Sequence, residues 1–151
     1  MFETWLPDTR ILIIDDEPAN INFLEELLAR AGYFNVVSSS DPQQGVMLCQ
    51  AFQPDLILLD WLMPVMNGYQ VLQALAPYMQ QQPYLPVLVL TADMSRESWQ
   101  LAFSAGAKDF LVKPLDIIEV QLRIRNLLEL RYLYLKLQEQ GQSLQRNSQN
   151  V

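Results

Sequence analysis

Three runs of four consecutive apolar residues, each closed by a polar side chain, constrain this chain most. Ile11-Leu12-Ile13-Ile14 runs into Asp15-Asp16-Glu17, Leu56-Ile57-Leu58-Leu59 into Asp60, and Val87-Leu88-Val89-Leu90 into Thr91. Such runs are short for helices and lack the alternation of a sheet with one wet face. They fit strands covered on both faces, as in a parallel sheet between helical layers. Parallel neighbours cannot be joined by a tight turn, so each pair needs a long crossover, usually a helix.

The intervening segments supply those crossovers. Pro18 suits a first helical turn, and Ile21, Leu24, Leu27 and Leu28 recur at helical spacing to about Ala31, where Gly32 stops the pattern. Phe34 to Ser38 reads as a weaker strand. Asp41 can cap a helix carrying Val46, Met47, Cys49 and Phe52 around its face. After Asp60, Pro64 and Asn67-Gly68 mark a loop, and Asn67 can cap a helix over about Gly68 to Tyr78. Gln80 to Pro86 is a polar, proline-bounded loop, and a helix over about Ser95 to Ser104 follows Thr91. Asp109 to Val112 is a short fifth strand closed by Lys113-Pro114, and Asp116 can cap a last helix. Five alternations of strand and helix predict an α/β fold, a doubly wound five-stranded parallel sheet with helices on both faces.

Composition narrows the chemistry. At 151 residues, half of them hydrophobic, the chain is long enough for one domain with a proper core. No apolar run is long enough to span a bilayer. The first residues lack the basic start and apolar core of a signal peptide, so a cytoplasmic protein is expected. The single cysteine, Cys49, excludes an internal disulfide and reads as a buried, inert thiol. Residues 1–116 hold five Lys/Arg against fourteen Asp/Glu, a net −9, which argues against direct nucleic-acid binding. Histidine is absent, which removes the usual general base and the usual zinc ligand.

Asp15, Asp16, Asp60, Thr91 and Lys113 all fall at or just past the carboxyl ends of predicted strands. In a doubly wound sheet those ends converge on one crevice. Carboxylates crowded there repel one another unless a cation neutralises them, and an all-oxygen set suits Mg²⁺. Carboxylates, a hard cation, a hydroxyl and an ammonium in one acidic pocket suit phosphoryl transfer, with a carboxylate as nucleophile. Taken singly, each residue has an ordinary explanation: a helix cap, a turn threonine, a solvated lysine. Their joint placement at strand ends is what points to a site.

Ile14-Asp15-Asp16-Glu17, Leu59-Asp60-Trp61-Leu62-Met63-Pro64-Val65-Met66-Asn67-Gly68, Leu90-Thr91-Ala92 and Ala105-Gly106-Ala107-Lys108-Asp109-Phe110-Leu111-Val112-Lys113-Pro114 resemble the receiver domain of two-component response regulators. The resemblance covers about residues 9–130. It implies a flavodoxin-like sheet of strand order 2-1-3-4-5. It implies that Asp60 is the phosphoacceptor, supplied by a sensor histidine kinase or a histidine phosphotransfer protein. It further implies that Asp16 ligates Mg²⁺, Asp15 holds metal-bound water, and Asp60 and the Leu62 backbone carbonyl complete the protein ligands. Thr91 and Lys113 would bind the phosphoryl group, and Phe110 would be an aromatic switch coupled to Thr91. Leu62 and Asp93 stand at positions that vary within the family, two past the acceptor and two past the threonine.

The expected organisation is an N-terminal extension (1–9), a receiver (10–127), and a helical extension with a polar tail (128–151). From Ile117 the last helix can run to about Gln140, with Gly141 to Val151 read as a frayed tail. Val120, Ile124 and Leu127 could face the sheet, whereas Leu130, Leu133 or Tyr134, Leu137 and Leu144 continue the spacing beyond it. That stripe resembles the start of a coiled coil joining a receiver to an output domain. A homodimer is expected through it, or through the face formed by the fourth helix, fifth strand and last helix. Two other readings compete. A phosphatase of the haloacid dehalogenase type also uses an aspartyl phosphate, but it wants a second acid where Leu62 stands. A receiver-like interaction domain that is never phosphorylated would not need the five polar residues together. The expected protein is therefore a signalling switch and not an enzyme acting on an external substrate.

Overall fold

A computed structural model describes residues 2–93 and 95–149. Five strands, β1 (Arg10–Ile14), β2 (Asn35–Ser39), β3 (Leu56–Asp60), β4 (Val87–Thr91) and β5 (Asp109–Val112), form one parallel sheet in the order β2-β1-β3-β4-β5. The crossovers are α1 (Pro18–Arg30), α2 (Pro42–Phe52), α3 (Gly68–Gln80) and α4 (Arg96–Ser104), and α5 (Ile117–Gln149) closes the chain. A short helical turn, Phe2–Trp5, precedes β1.

The apolar runs pack as expected, with alternate residues entering two separate cores. Ile11, Ile13, Leu56, Leu58, Leu88 and Leu90 meet α1 and α5 on one face. Leu12, Ile14, Ile57, Leu59, Val87 and Val89 meet α2, α3 and α4 on the other. All of these strand residues are buried, which is why they read as unbroken apolar runs.

Local signals set most boundaries. Asp41 caps α2 by accepting from the Gln43 N–H, and Ser95 caps α4 by accepting from the Ser98 N–H. Asn67 and Gln70 form a reciprocal capping box at α3. Asp116 accepts from the Glu119 N–H at the start of α5. Gly32 takes φ +94, a left-handed conformation favoured by glycine, just past α1.

Some expectations are corrected. The second strand is Asn35–Ser39, one residue later than Phe34 to Ser38. Helix α3 continues to Gln80 despite Pro77 near its end. Met47 is 76% exposed, so the inward face of α2 is carried by Cys49, Val46 and Phe52. The last helix does not stop near Gln140: it passes through Gly141, and the expected frayed tail is helical to Gln149, with Asn150 and Val151 outside the described residues. One glycine costs a helix about 1 kcal/mol, which is too little by itself to end one.

Packing of α5 on the body continues past Leu127. Leu128 is fully buried, Arg131 is buried, and Trp5 of the N-terminal turn packs against Tyr132 with ring centroids 5.5 Å apart. Among the described residues no helix is long and apolar enough to cross a membrane.

Candidate functional site

The strand ends deliver their polar groups to one place. Asp15 and Asp16 follow β1, Asp60 ends β3, Thr91 ends β4 and Lys113 follows β5. Carboxylate oxygens of Asp15, Asp16 and Asp60 lie within 4.8 Å of one another. The Lys113 ammonium lies 3.3 Å from Asp60 Oδ1 and 3.9 Å from Asp15 Oδ2. A cavity of about 260 Å³ opens beside Asp15 and Lys113, lined also by Asn20, Phe23, Leu24, Leu90, Pro114 and Leu115.

The backbone holds this arrangement firmly. The Trp61 N–H donates to Leu90 O, and the Gly68 N–H donates to Trp61 O at 2.8 Å, closing the loop after Asp60. A Cβ on Gly68 would lie 2.6 Å from the Trp61 ring and 2.9 Å from its Cα, so the start of α3 can approach the acceptor loop only with glycine there. The Lys113 N–H donates to Thr91 O at 2.7 Å, which fixes the lysine's backbone to the end of β4.

The electrostatics are those of an acidic pocket short of positive charge. Burial, with the Asp15 charge adding to it, pushes the Asp60 carboxyl up to about 7 against the opposing pull of Lys113. Burial also raises Asp15, although its Oδ1 accepts from the Glu17 N–H at 2.9 Å. Asp15 Oδ2 is a buried oxygen without a hydrogen-bond partner. An orphaned buried carboxylate oxygen, in an all-oxygen cluster without histidine or thiolate nearby, fits a hard divalent cation. Asp15, Asp16 and Asp60 are the side chains that could hold it.

The remaining expected residues surround this centre. Thr91 is fully buried, and its Oγ1 accepts from the Asp93 N–H at 2.9 Å. Asp93 in turn accepts from the Ser98 hydroxyl and the Ser95 N–H at the start of α4, and these bonds hold its carboxyl below the usual range. Leu62 lies two residues past Asp60 with its side chain 54% exposed. Phe110 is half-buried on β5, paired in register with Val89. Sequence reasoning did not single out Asn20, whose Nδ2 lies 3.5 Å from Asp15 Oδ1, or the steric role of Gly68. Asn20 carries no signal beyond standing in the first turn of α1. The sequence marks Gly68 as a turn residue and helix start, without revealing its close approach to Trp61.

The sequence matches the response regulator receiver domain over residues 11–125. The chain belongs to that family. Phosphorylation and Mg²⁺ binding are typical of receivers, and the family in general works with histidine kinases. This receiver is 40% identical over 119 residues to the DNA-binding dual master transcriptional regulator RpaA of Synechocystis sp., covering 79% of this chain and 48% of the relative. It is 36% identical over 118 residues to the response regulator PleD of Caulobacter vibrioides, covering 78% of this chain and 26% of that protein. The chain thus spans about half the length, or less, of these curated relatives. Among solved structures, the chemotaxis protein CheY4 of Vibrio cholerae superposes with a TM-score of 0.73 at 28% identity, covering 79% of this chain and 98% of that one.

Proposed function

We propose that this receiver accepts a phosphoryl group on Asp60 from a phosphohistidine of a sensor histidine kinase or a histidine phosphotransfer protein. The observation that carries this is the position of Asp60, a buried carboxylate at a strand end with Lys113 at 3.3 Å and two further acids beside it. An Asp60 carboxylate oxygen attacks phosphorus, the phosphorus–nitrogen bond breaks, and the imidazole leaves with the electron pair. An acyl phosphate on Asp60 results. Lys113 would put a positive charge on a phosphoryl oxygen, and the Thr91 hydroxyl would donate to another, since accepting from the Asp93 N–H leaves its O–H free. Asp15, Asp16, Asp60 and the Leu62 backbone carbonyl would hold Mg²⁺, which supplies charge neutralisation for the incoming phosphoryl oxygens.

The proposed outcome is a switch in the face formed by α4, β5 and α5, with Thr91 and Phe110 as its moving parts. Helix α4 suits such a role because among its residues only Ala102 is buried. The switched face, or the stripe of Leu130, Leu133 and Leu137 on α5, would then pair with a second copy, an output domain or another partner. The chain itself is read as a cytoplasmic signalling domain and not as an enzyme with an external substrate. Its acidic body supports no direct binding of nucleic acid by these residues, and the DNA binding named for RpaA belongs to that whole protein. The division into an extension (1–9), a receiver (10–127) and a helical extension (128–151) is kept as a description of function, with the α5 packing running across its second boundary.

Incubation with acetyl phosphate and Mg²⁺, followed by intact mass, tests the reading. A single stable phosphoryl adduct, absent from Asp60→Asn, supports it. Steady release of phosphate without a lasting adduct would favour the phosphatase reading, and no reaction would favour an unphosphorylated interaction domain.

A further inference from the structure

At the foot of the sheet, opposite the acidic pocket, a second polar cluster is buried. The Arg131 guanidinium, on α5 beyond the last fully buried apolar residue, donates from Nε to Asp55 Oδ1 at 3.2 Å and from Nη1 to Gln82 Oε1 at 3.1 Å and Tyr84 O at 3.0 Å. Both charged side chains are 7% exposed. The other Asp55 oxygen accepts from the Arg10 N–H at 2.9 Å, so the carboxylate joins the starts of β1 and β3 to α5. The Tyr84 and Tyr134 rings stack with centroids 4.8 Å apart, nearly parallel at 7°. On another side of the helix Trp5 meets Tyr132.

A buried ion pair is a poor device for stability, because desolvation offsets most of its attraction and apolar residues of similar volume do as well. What a planar fork adds is direction. Its acceptors sit on two separate segments, the residue just before β3 and the loop between α3 and β4, and all three can be met at one rotation of α5 only. Rotating the helix by one residue swings the side chain by about 100° and leaves Asp55 buried and unpaired. The apolar stripe begins at the same level: Glu119, Arg123 and Asn126, on the side of the helix that carries it, are polar, whereas Leu130, Leu133 and Leu137 are apolar and exposed.

We infer that Arg131 is a positioning latch, which fixes the rotational phase and exit direction of the helical extension relative to the receiver body. Whatever reads the Leu130–Leu137 stripe therefore meets it at one set orientation. The inference does not depend on Asp60 accepting a phosphoryl group.

Spin labels at Gln43→Cys on α2 and Gln142→Cys on the extension report that orientation. Cys49 is buried with its thiol pushed up to about 12, so labelling favours the introduced sites. Dilution into excess unlabelled chain removes distances between copies. The wild-type latch should give one narrow distance distribution. The double variant Asp55→Asn with Arg131→Met removes both charges, so it should keep its unfolding midpoint close to wild type and lose the single distance. Arg131→Lys keeps the charge without the fork and should broaden the distribution even if the double variant folds poorly. A broad wild-type distribution, or a narrow one retained in Arg131→Lys or in a folded double variant, would overturn the latch.

Discussion

The Lys113 ammonium sits 3.3 Å from Asp60 Oδ1 although 53 residues separate the two in the chain. It is the cation seen to face both buried acids, at 3.9 Å from Asp15 as well. Lys113→Met should slow phosphorylation by acetyl phosphate about tenfold or more, the range expected for losing a charge-assisted hydrogen bond. The rate of adduct formation by intact mass checks this, and an unchanged rate would remove Lys113 from the site.

Asp60 should also govern how stability follows pH. Its carboxyl is raised to about 7 in the folded chain, above the unfolded value. The folded state therefore holds the proton more tightly, and this contribution is fully present below about pH 4 and lost as pH rises through about 7. Urea midpoints with a chelator present should fall over that window. Asp60→Asn should flatten the fall and be about 1–3 kcal/mol more stable near neutral pH. A variant whose midpoint still follows the wild-type curve would contradict the site electrostatics.

Divalent-cation dependence should separate neighbouring acids. Asp16 belongs to the carboxylate cluster, whereas Glu17 is exposed outside it. Asp16→Ala should weaken Mg²⁺ binding far more than Glu17→Ala, read from Trp61 fluorescence next to the acceptor. Equal losses would place the acidic pair in the wrong register.

Gly68→Ala should destabilise by about 2 kcal/mol, as expected for overpacking against atoms that cannot turn aside. The clash is with the Trp61 Cα and the Asp60 carbonyl as well as the indole ring. Thermal unfolding measures the cost, and a midpoint equal to wild type would mean that the loop yields freely.

Two truncations should behave differently. A chain ending at Asn126 loses Leu127, Leu128 and Arg131, which exposes core and strands Asp55. It should be markedly less stable than a chain ending at Leu135, which keeps all three. Sedimentation of the longer chain against the full one then tests whether the residues beyond Leu135 pair two copies. Equal association by both would place the contact at or before Leu135, on the globular body or on the Leu130 and Leu133 part of the stripe.

Much of this protein is legible in its sequence because the relevant signals are local. Four apolar residues followed by an acid mark a doubly buried strand and its carboxyl end in one stroke. Asp41, Asn67, Ser95 and Asp116 act on backbone N–H groups within three residues, so their caps need no tertiary knowledge. Parallel strand order then brings Asp15, Asp60, Thr91 and Lys113 to one crevice as a consequence of topology. Family likeness adds the assignment of roles, which spacing alone does not carry.

Tertiary structure decided what depends on contacts between distant segments. Arg131 and Asp55 are 76 residues apart, and neither their spacing nor their type distinguishes them from surface charges until the helix is laid across the sheet. Tyr84, in a loop read only as polar, gains its role from stacking on Tyr134. The helix continues through Gly141, where a local stop signal was weaker than the run of helical residues on either side. A local rule is written where it acts, whereas a long-range pair exists only once the fold has chosen which surfaces meet.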